Sequence, residues 1–466
     1  MRQRALPSIP YASVNLTGPE QRDWNLTRDE FTDALRKGLG RALLHVHRYG
    51  AVDRLDLIIN ACEADQRYDA QCELRRHVYL YEIAVASGKA TTIREHLTSL
   101  VRASTDEADI WTTLAVLAWF ARCGDPAALV AVRERFERDA ARGSHDSGDE
   151  MIMAEPITGL LRVARAFADE FESHQRWIPL SWLNDASELD GQTEVREVLT
   201  EAAGSDERVA AFLNLATQPP ETLYDFSETT PEEDGPLPDV MEYVLDSADP
   251  PADFYKARFR VWRWVDRATE EQRLAAARAI AKEEDPERVA LLCSVFRYPK
   301  RPFPLDVGLL IDKARASTDE RERHCLLRIL EPHEDVRVRK LALELLQRHG
   351  PDSDILNLFI ANYGRGDGSL LLRALTDRPL DEYEKKFDNL HGVTMAISKV
   401  FASESRTDGR ESLLWAYEHT PCSMCRRDMV EALIRMRAAP EWLLQECLCD
   451  CVAETRSLVG KSIESE

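Results

Sequence analysis

Glycine is scarce in this chain, at 20 of 466 residues, and strand-like alternation with β-branched runs is nearly absent. Both absences argue against an extended β architecture. Cations are short as well: 60 Lys and Arg stand against 82 Asp and Glu, a formal net charge of −22. Nucleic-acid binding is driven by cations on phosphates, so a nucleic-acid partner is not expected. The same surplus of acid favours solubility and a protein partner with a basic surface. No apolar run reaches the roughly 18 residues of a membrane span. Residues 1–16 hold two arginines but no continuous apolar stretch, so a secretory leader is not expected. Catalytic signatures are missing too: there is no HExxH, no GxSxG and no kinase set. The Gly-rich stretch 364–368 has no strand before it and no GK[ST] after it, so it reads as an inter-helix loop. His45 and His47, two apart on a helix, point to different sides and do not chelate together.

What is present is helical periodicity. Apolar residues make up 44% of the chain, enough for a packed protein, and 30% charged residues suit exposed helix faces. Thr27 and Glu30 have capping-box spacing, and the helix after them is expected to run through Phe31, Leu35, Leu39, Leu43 and Val46 to a stop near Gly50. Further helices are expected at 55–62, 74–86, 93–101, 110–123, 126–136, 157–171, 195–202 and 208–215, with a polar loop at 142–150. The clearest pair is 319–330 followed by 336–348, closed by Gly350. Residues 1–26 read as an extension, 27–217 as an N-terminal helical block, 218–239 as an acidic, proline-rich linker or long loop, and 240–466 as a C-terminal helical block. Leu223, Tyr224, Asp225 and Phe226 within that linker suit either a docking peptide or a plain loop.

Three stretches share one form, an acid followed six residues later by arginine at the opening of a helix: Asp69 and Arg75, Asp190 and Arg196, Asp450 and Arg456. A fourth, 333–346, has His333 where the acid would be. Recurring helix–turn–helix units are the mark of an α-solenoid, which escapes the usual limit on core size because each repeat packs only on its neighbours. The stretch Val338-Arg339-Lys340-Leu341-Ala342, followed by Leu345 and Leu346, resembles the second helix of a HEAT repeat. The likeness spans roughly residues 319–463. It implies an all-α stack of antiparallel helix pairs and a scaffold for protein binding. It also implies that Asp69, Arg75, Asp190, Arg196, Arg339, Asp450 and Arg456 are structural. Two enzyme groups use HEAT-like folds, phycobilin lyases and DNA alkylation-repeat glycosylases; the acidity argues against the second.

Three constellations carry candidate chemistry. Cys422 and Cys425 form CxxC, with His419 before them and Cys447, Cys449 and Cys451 after. Thiolates and an imidazole are what tetrahedral zinc needs, and inter-helix packing or a redox dithiol is the competing reading. Lys256, Arg260, Arg263 and Arg267 are spaced four, three and four apart, which sets them on one helix face. That ridge suits an acidic or phosphate-bearing partner, or else a solvated face. Tyr68, Asp69, Gln71, Glu73, Arg75 and Arg76 crowd polar groups between two helices, as an inter-repeat network or as the lining of a site. The remaining cysteines, Cys62, Cys72, Cys123, Cys293 and Cys325, fall in apolar helical patterns and are expected to be buried and reduced, in a cytoplasmic setting.

The sequence therefore predicts an α-solenoid without a cofactor, zinc apart. Its expected role is a non-enzymatic scaffold or adaptor with an acidic surface. The alternative is a helical-repeat enzyme or lyase-like protein holding a small ligand in a concave groove.

Overall fold

The structure is a computed structural model that describes residues 22–105, 110–167, 177–217, 264–265, 267–296, 303–380, 383, 389–403 and 406–465. The described residues form 24 α-helices and no strand, so the chain is all-α. The first twelve are α1 (Arg28–Lys37), α2 (Gly40–Tyr49), α3 (Leu55–Glu63), α4 (His77–Ala86), α5 (Ala90–Ala103), α6 (Trp111–Arg122), α7 (Pro126–Ala140), α8 (Gly148–Ala154), α9 (Pro156–Phe167), α10 (Trp177–Asp190), α11 (Gln192–Ala203) and α12 (Glu207–Thr217). After them come α13 (Glu270–Lys282), α14 (Pro286–Cys293), α15 (Gly308–Ala316), α16 (Glu320–Leu330), α17 (Val336–His349), α18 (Ser353–Asn362) and α19 (Asp367–Thr376). The last five are α20 (Asn389–Val400), α21 (Arg410–His419), α22 (Ser423–Arg435), α23 (Glu441–Cys447) and α24 (Ala453–Ser465). Among the described residues no helix is long and apolar enough to cross a membrane. The linker at 218–239 lies outside the described residues.

Local chemistry sets the helix ends. Thr27 accepts from the Glu30 amide and Glu30 Oε2 accepts from the Thr27 amide at 2.8 Å, the expected capping box. Asp125, Asp285, Asp319, Asp335 and Asp352 each cap the following helix through a carboxylate oxygen. The single helix expected from Phe31 to Val46 is two: Gly38 ends α1 in the left-handed region (φ 70°), and α2 starts at Gly40. Apolar spacing runs through that break unaltered, which is why periodicity missed it. The loop expected at 142–150 ends early, because α8 begins at Gly148.

The chain divides into two compact units. Unit 1 comprises Met1–Thr229, Cys422–Met424 and Pro440–Glu466. Within it α6 packs on α4, α5, α7 and α8, and α8 packs also on α9 and α10. The C-terminal segment is stitched to the first helices, with α23 lying on α2. Arg41 Nε meets Glu446 Oε1 at 2.6 Å, both groups buried. The Cys451 amide donates to the Gly38 carbonyl at 3.1 Å, and Arg456 holds both Glu82 oxygens at 2.9 and 2.7 Å. Gly40 permits this approach, since a Cβ there would lie 1.9 Å from the Glu446 carbonyl oxygen.

Unit 2 comprises Thr230–Pro421 and Cys425–Ala439. Here each helix packs on the next one or the next but one: α15 on α16 and α17, α16 on α18, α17 on α18, α18 on α20 and α20 on α21. From α15 to α19 several polar contacts keep a steady register, whereas contacts of Arg406, Asp408 and Ser412 span 46 (to Ile360), 45 (to Tyr363) and 44 residues (to Gly368). Arg315 and Glu344 are 29 residues apart, His324 and Asp354 30, Arg339 and Asp367 28, and Arg337 and Asp306 31. Asn362 donates to the His333 carbonyl 29 residues back, and Arg378 to the His349 carbonyl 29 back. Unit 1 is less regular: Arg28 to Asp56 spans 28 residues, Arg165 to Asp206 41 and Arg122 to Asp190 68.

Candidate functional site

Unit 2 carries an open groove of about 690 Å³ at the N-terminal ends of α16 and α18. Its walls carry five acids (Glu287, Asp319, Glu320, Asp352 and Asp354) against Arg321, Arg323 and Arg378, with His324 and His349 between. Two of the acids are there because helices start there. Asp319 Oδ1 accepts from the Glu322 amide at 2.8 Å, and Asp352 Oδ1 from the Asp354 amide at 3.0 Å. His324 pairs with Asp354, and Arg378 lies across Gly350, where a side chain would collide with its guanidinium. Leu327, Pro351 and Ile355 supply an apolar strip. Among the described residues the lining holds no Ser, Thr, Cys, Lys or Tyr, so covalent chemistry there would use carboxylate or imidazole nucleophiles.

A smaller cleft of about 380 Å³ lies in unit 1 where α3 ends and α4 and α6 begin. Leu35, Leu80 and Ala115 line it beside Arg75, His77 and the half-exposed Trp111. Arg75 is held by Glu150 and, at 3.4 Å, by Asp149, whose other oxygen accepts from Trp182 Nε1 at 2.7 Å. Burial pushes the Glu150 carboxyl up to about 7; Arg75 opposes this and Asp149 adds to it. Asp185 is pushed up to about 6 by burial and by the negative charges of Asp149 and Glu188. Burial, helped by Arg75, pushes His77 down to about 4.

The residues singled out in the sequence fall as follows. Glu73 is the buried hub of the 68–76 group, accepting from the amides of Tyr68 and Asp69, from Arg76 at 2.7 Å and from Ser423 at 2.6 Å. Asp69 accepts from the Gln71 amide at 2.9 Å and so closes its own turn. Asp190 pairs with Arg122 at 2.7 Å, while Arg196 is exposed. Arg339 reaches Asp367, which also accepts from the Gly364 amide at 2.7 Å and fixes the Gly-rich loop. Asp450 accepts from the Val452 amide at 2.9 Å, and Arg456 reaches back to the Asp450 carbonyl. Of the basic ridge, Arg267 is described and exposed; Lys256, Arg260 and Arg263 lie outside the described residues, as do 223–226.

Among the described residues, no three of His419, Cys422, Cys425, Cys447, Cys449 and Cys451 bring ligand atoms together. His419 stacks on Trp415 with ring centroids 4.8 Å apart. Cys447 ends α23 and is buried, as is Cys449, whose thiol burial pushes up to about 12. Cys425 Sγ instead lies 3.1 Å from Nε2 of His391, a residue that no local spacing marked. The pair is 34 residues apart, a separation that no pattern in the sequence singles out. Cys62 and Cys293 are buried as expected, but Cys72 is exposed in the turn before α4, and Cys123 and Cys325 are half-buried.

No family model matches the chain, and no curated protein or solved structure matches it.

Proposed function

We propose that this chain is a non-enzymatic interaction scaffold built from stacked helix pairs, and that the groove of unit 2 receives a basic segment of a partner protein. The groove carries the proposal, with five acids against three arginines along an apolar strip. Two of its carboxylates also order the helix ends, so the charge sits on a rigid frame. The separation of about 28–31 residues over α15 to α19 supports a repeat of one helix pair there. That register is shorter than the roughly 40–47 residues of HEAT and armadillo units. A net charge of −22 raises the encounter rate with basic partners, and ten cysteines outside any disulfide suit a reducing cytoplasmic setting.

The test is reversal of two exposed groove acids, Glu287→Lys with Glu320→Lys. The reversed chain is expected to bind its partner about tenfold or more weakly, with a flatter dependence on salt. Unchanged affinity and salt slope would remove the groove from the interface.

A second reading, a small ligand held in the cleft of unit 1, is favoured by one observation. The shifted groups Glu150, Asp185 and His77 gather around Arg75, a lining residue of that cleft.

A further inference from the structure

The Cys425–His391 contact has no part in the groove. Cys425 is the third residue of α22 and His391 the third of α20, so the first turns of two helices hold the sulfur and the imidazole, and both residues belong to unit 2. Both side chains are half-buried, which leaves room for an ion to reach them while limiting bulk water. Their atoms, Sγ and Nε2, are 3.1 Å apart. Two ligands on one tetrahedral zinc, at about 2.3 Å for sulfur and about 2.0 Å for nitrogen, stand roughly 3.5 Å from each other. A shift of a few tenths of an ångström would therefore admit the ion. The chain supplies a second thiol without any help from the fold. Cys422 is three residues before Cys425, and three residues span at most about 11 Å.

We infer that His391 and Cys425, with Cys422 as the other thiol of the CxxC, form a site for zinc or a similar borderline-soft divalent ion. The chemistry of the donors balances. Two thiolates cancel the charge of the dication, and a neutral imidazole is the third ligand. The two thiol protons leave to solvent when the ion binds. Three protein ligands leave the fourth tetrahedral position to water or to a ligand carried in by a partner. This set differs from the one expected from sequence. It keeps the CxxC, replaces His419 by His391 and leaves out Cys447, Cys449 and Cys451. The inference does not depend on the groove.

The full-length chain, stripped with a chelator and kept reduced, is titrated with Co2+ and then with Zn2+. One equivalent of Co2+ is expected to give the visible bands of a tetrahedral ion and a near-ultraviolet thiolate charge-transfer band. One equivalent of Zn2+ is expected to bleach both. Cys425→Ser and His391→Asn are each expected to weaken binding about 100-fold or more. His419→Asn and Cys449→Ser are expected to titrate as the wild type does, which separates this site from the six-residue set. Absence of a thiolate charge-transfer band in the wild-type chain overturns the inference. So does wild-type affinity in folded Cys425→Ser or His391→Asn. The wild-type titration decides the matter even if a variant fails to fold.

Discussion

Replacing Glu150 by glutamine is expected to remove part of the protein's pH dependence, so that the variant gains on wild type as pH rises. Glu150 sits on α8, the helix shared by α6, α7, α9 and α10, and is buried. One oxygen holds Arg75, and Oε2 has no hydrogen-bond partner. Burial lifts this carboxyl from 4.5 to about 7 despite Arg75, with Asp149 adding to the rise. That gap of about 2.5 pH units corresponds to about 3 kcal/mol between the two protonation states. The folded chain holds the proton more tightly than the unfolded chain does. The contribution is therefore fully present below about pH 4.5 and is lost as pH rises through about 7. Between pH 5.5 and 8.0 the loss works out at about 2 kcal/mol. His77, pushed down to about 4, acts in the opposite direction over the same window. Asp185, half-buried, acts in the same direction with a smaller, solvent-screened effect. The difference between wild type and Glu150→Gln cancels both. Urea unfolding at the two pH values should show the variant better off, relative to wild type, by about 2 kcal/mol at the higher pH. Parallel pH profiles for the two proteins would refute the reasoning.

Three further outcomes are expected. Gly40→Ala should destabilise by about 3 kcal/mol, because the added methyl meets the Glu446 carbonyl and Cys449 backbone, which have nowhere to move. Gly460→Ala, inside α24 with open space around it, should instead raise stability by about 0.5–1 kcal/mol in the same unfolding assay. Arg41→Met should cost about 3–5 kcal/mol by leaving the buried Glu446 carboxylate without its guanidinium, and Arg41→Met with Glu446→Gln should recover most of it. A double variant no more stable than Arg41→Met would show that the pair is not coupled.

Helix positions were legible because they rest on local chemistry. The Thr27–Glu30 box, the Asp319 cap and the Gly350 stop were all visible as residues. The break at Gly38 was hidden, since the apolar positions on either side stay in phase and Cys451, which a side chain at Gly38 would meet, is over 400 residues away in the chain. The acid-to-arginine spacing was visible, yet Arg75, Asp190 and Arg456 find partners through tertiary packing that spacing cannot encode. The CxxC was legible and its imidazole was not. His391 stands 34 residues upstream with nothing in its neighbourhood to mark it. The groove acids were seen singly as helix caps, and only the stacking of α16 on α18 makes them one surface.

Photo-crosslinking from the groove tests the central proposal most directly. A photoreactive residue is placed at Arg321, in the groove, and in a second chain at the exposed Arg278 of α13 as a control. Both chains are irradiated in native cells, with and without the Glu287→Lys and Glu320→Lys reversal. The scaffold account predicts one discrete protein cross-linked from position 321, through a basic segment, absent from position 278 and lost on charge reversal. No discrete adduct from position 321, or the same adducts from both positions, would contradict it.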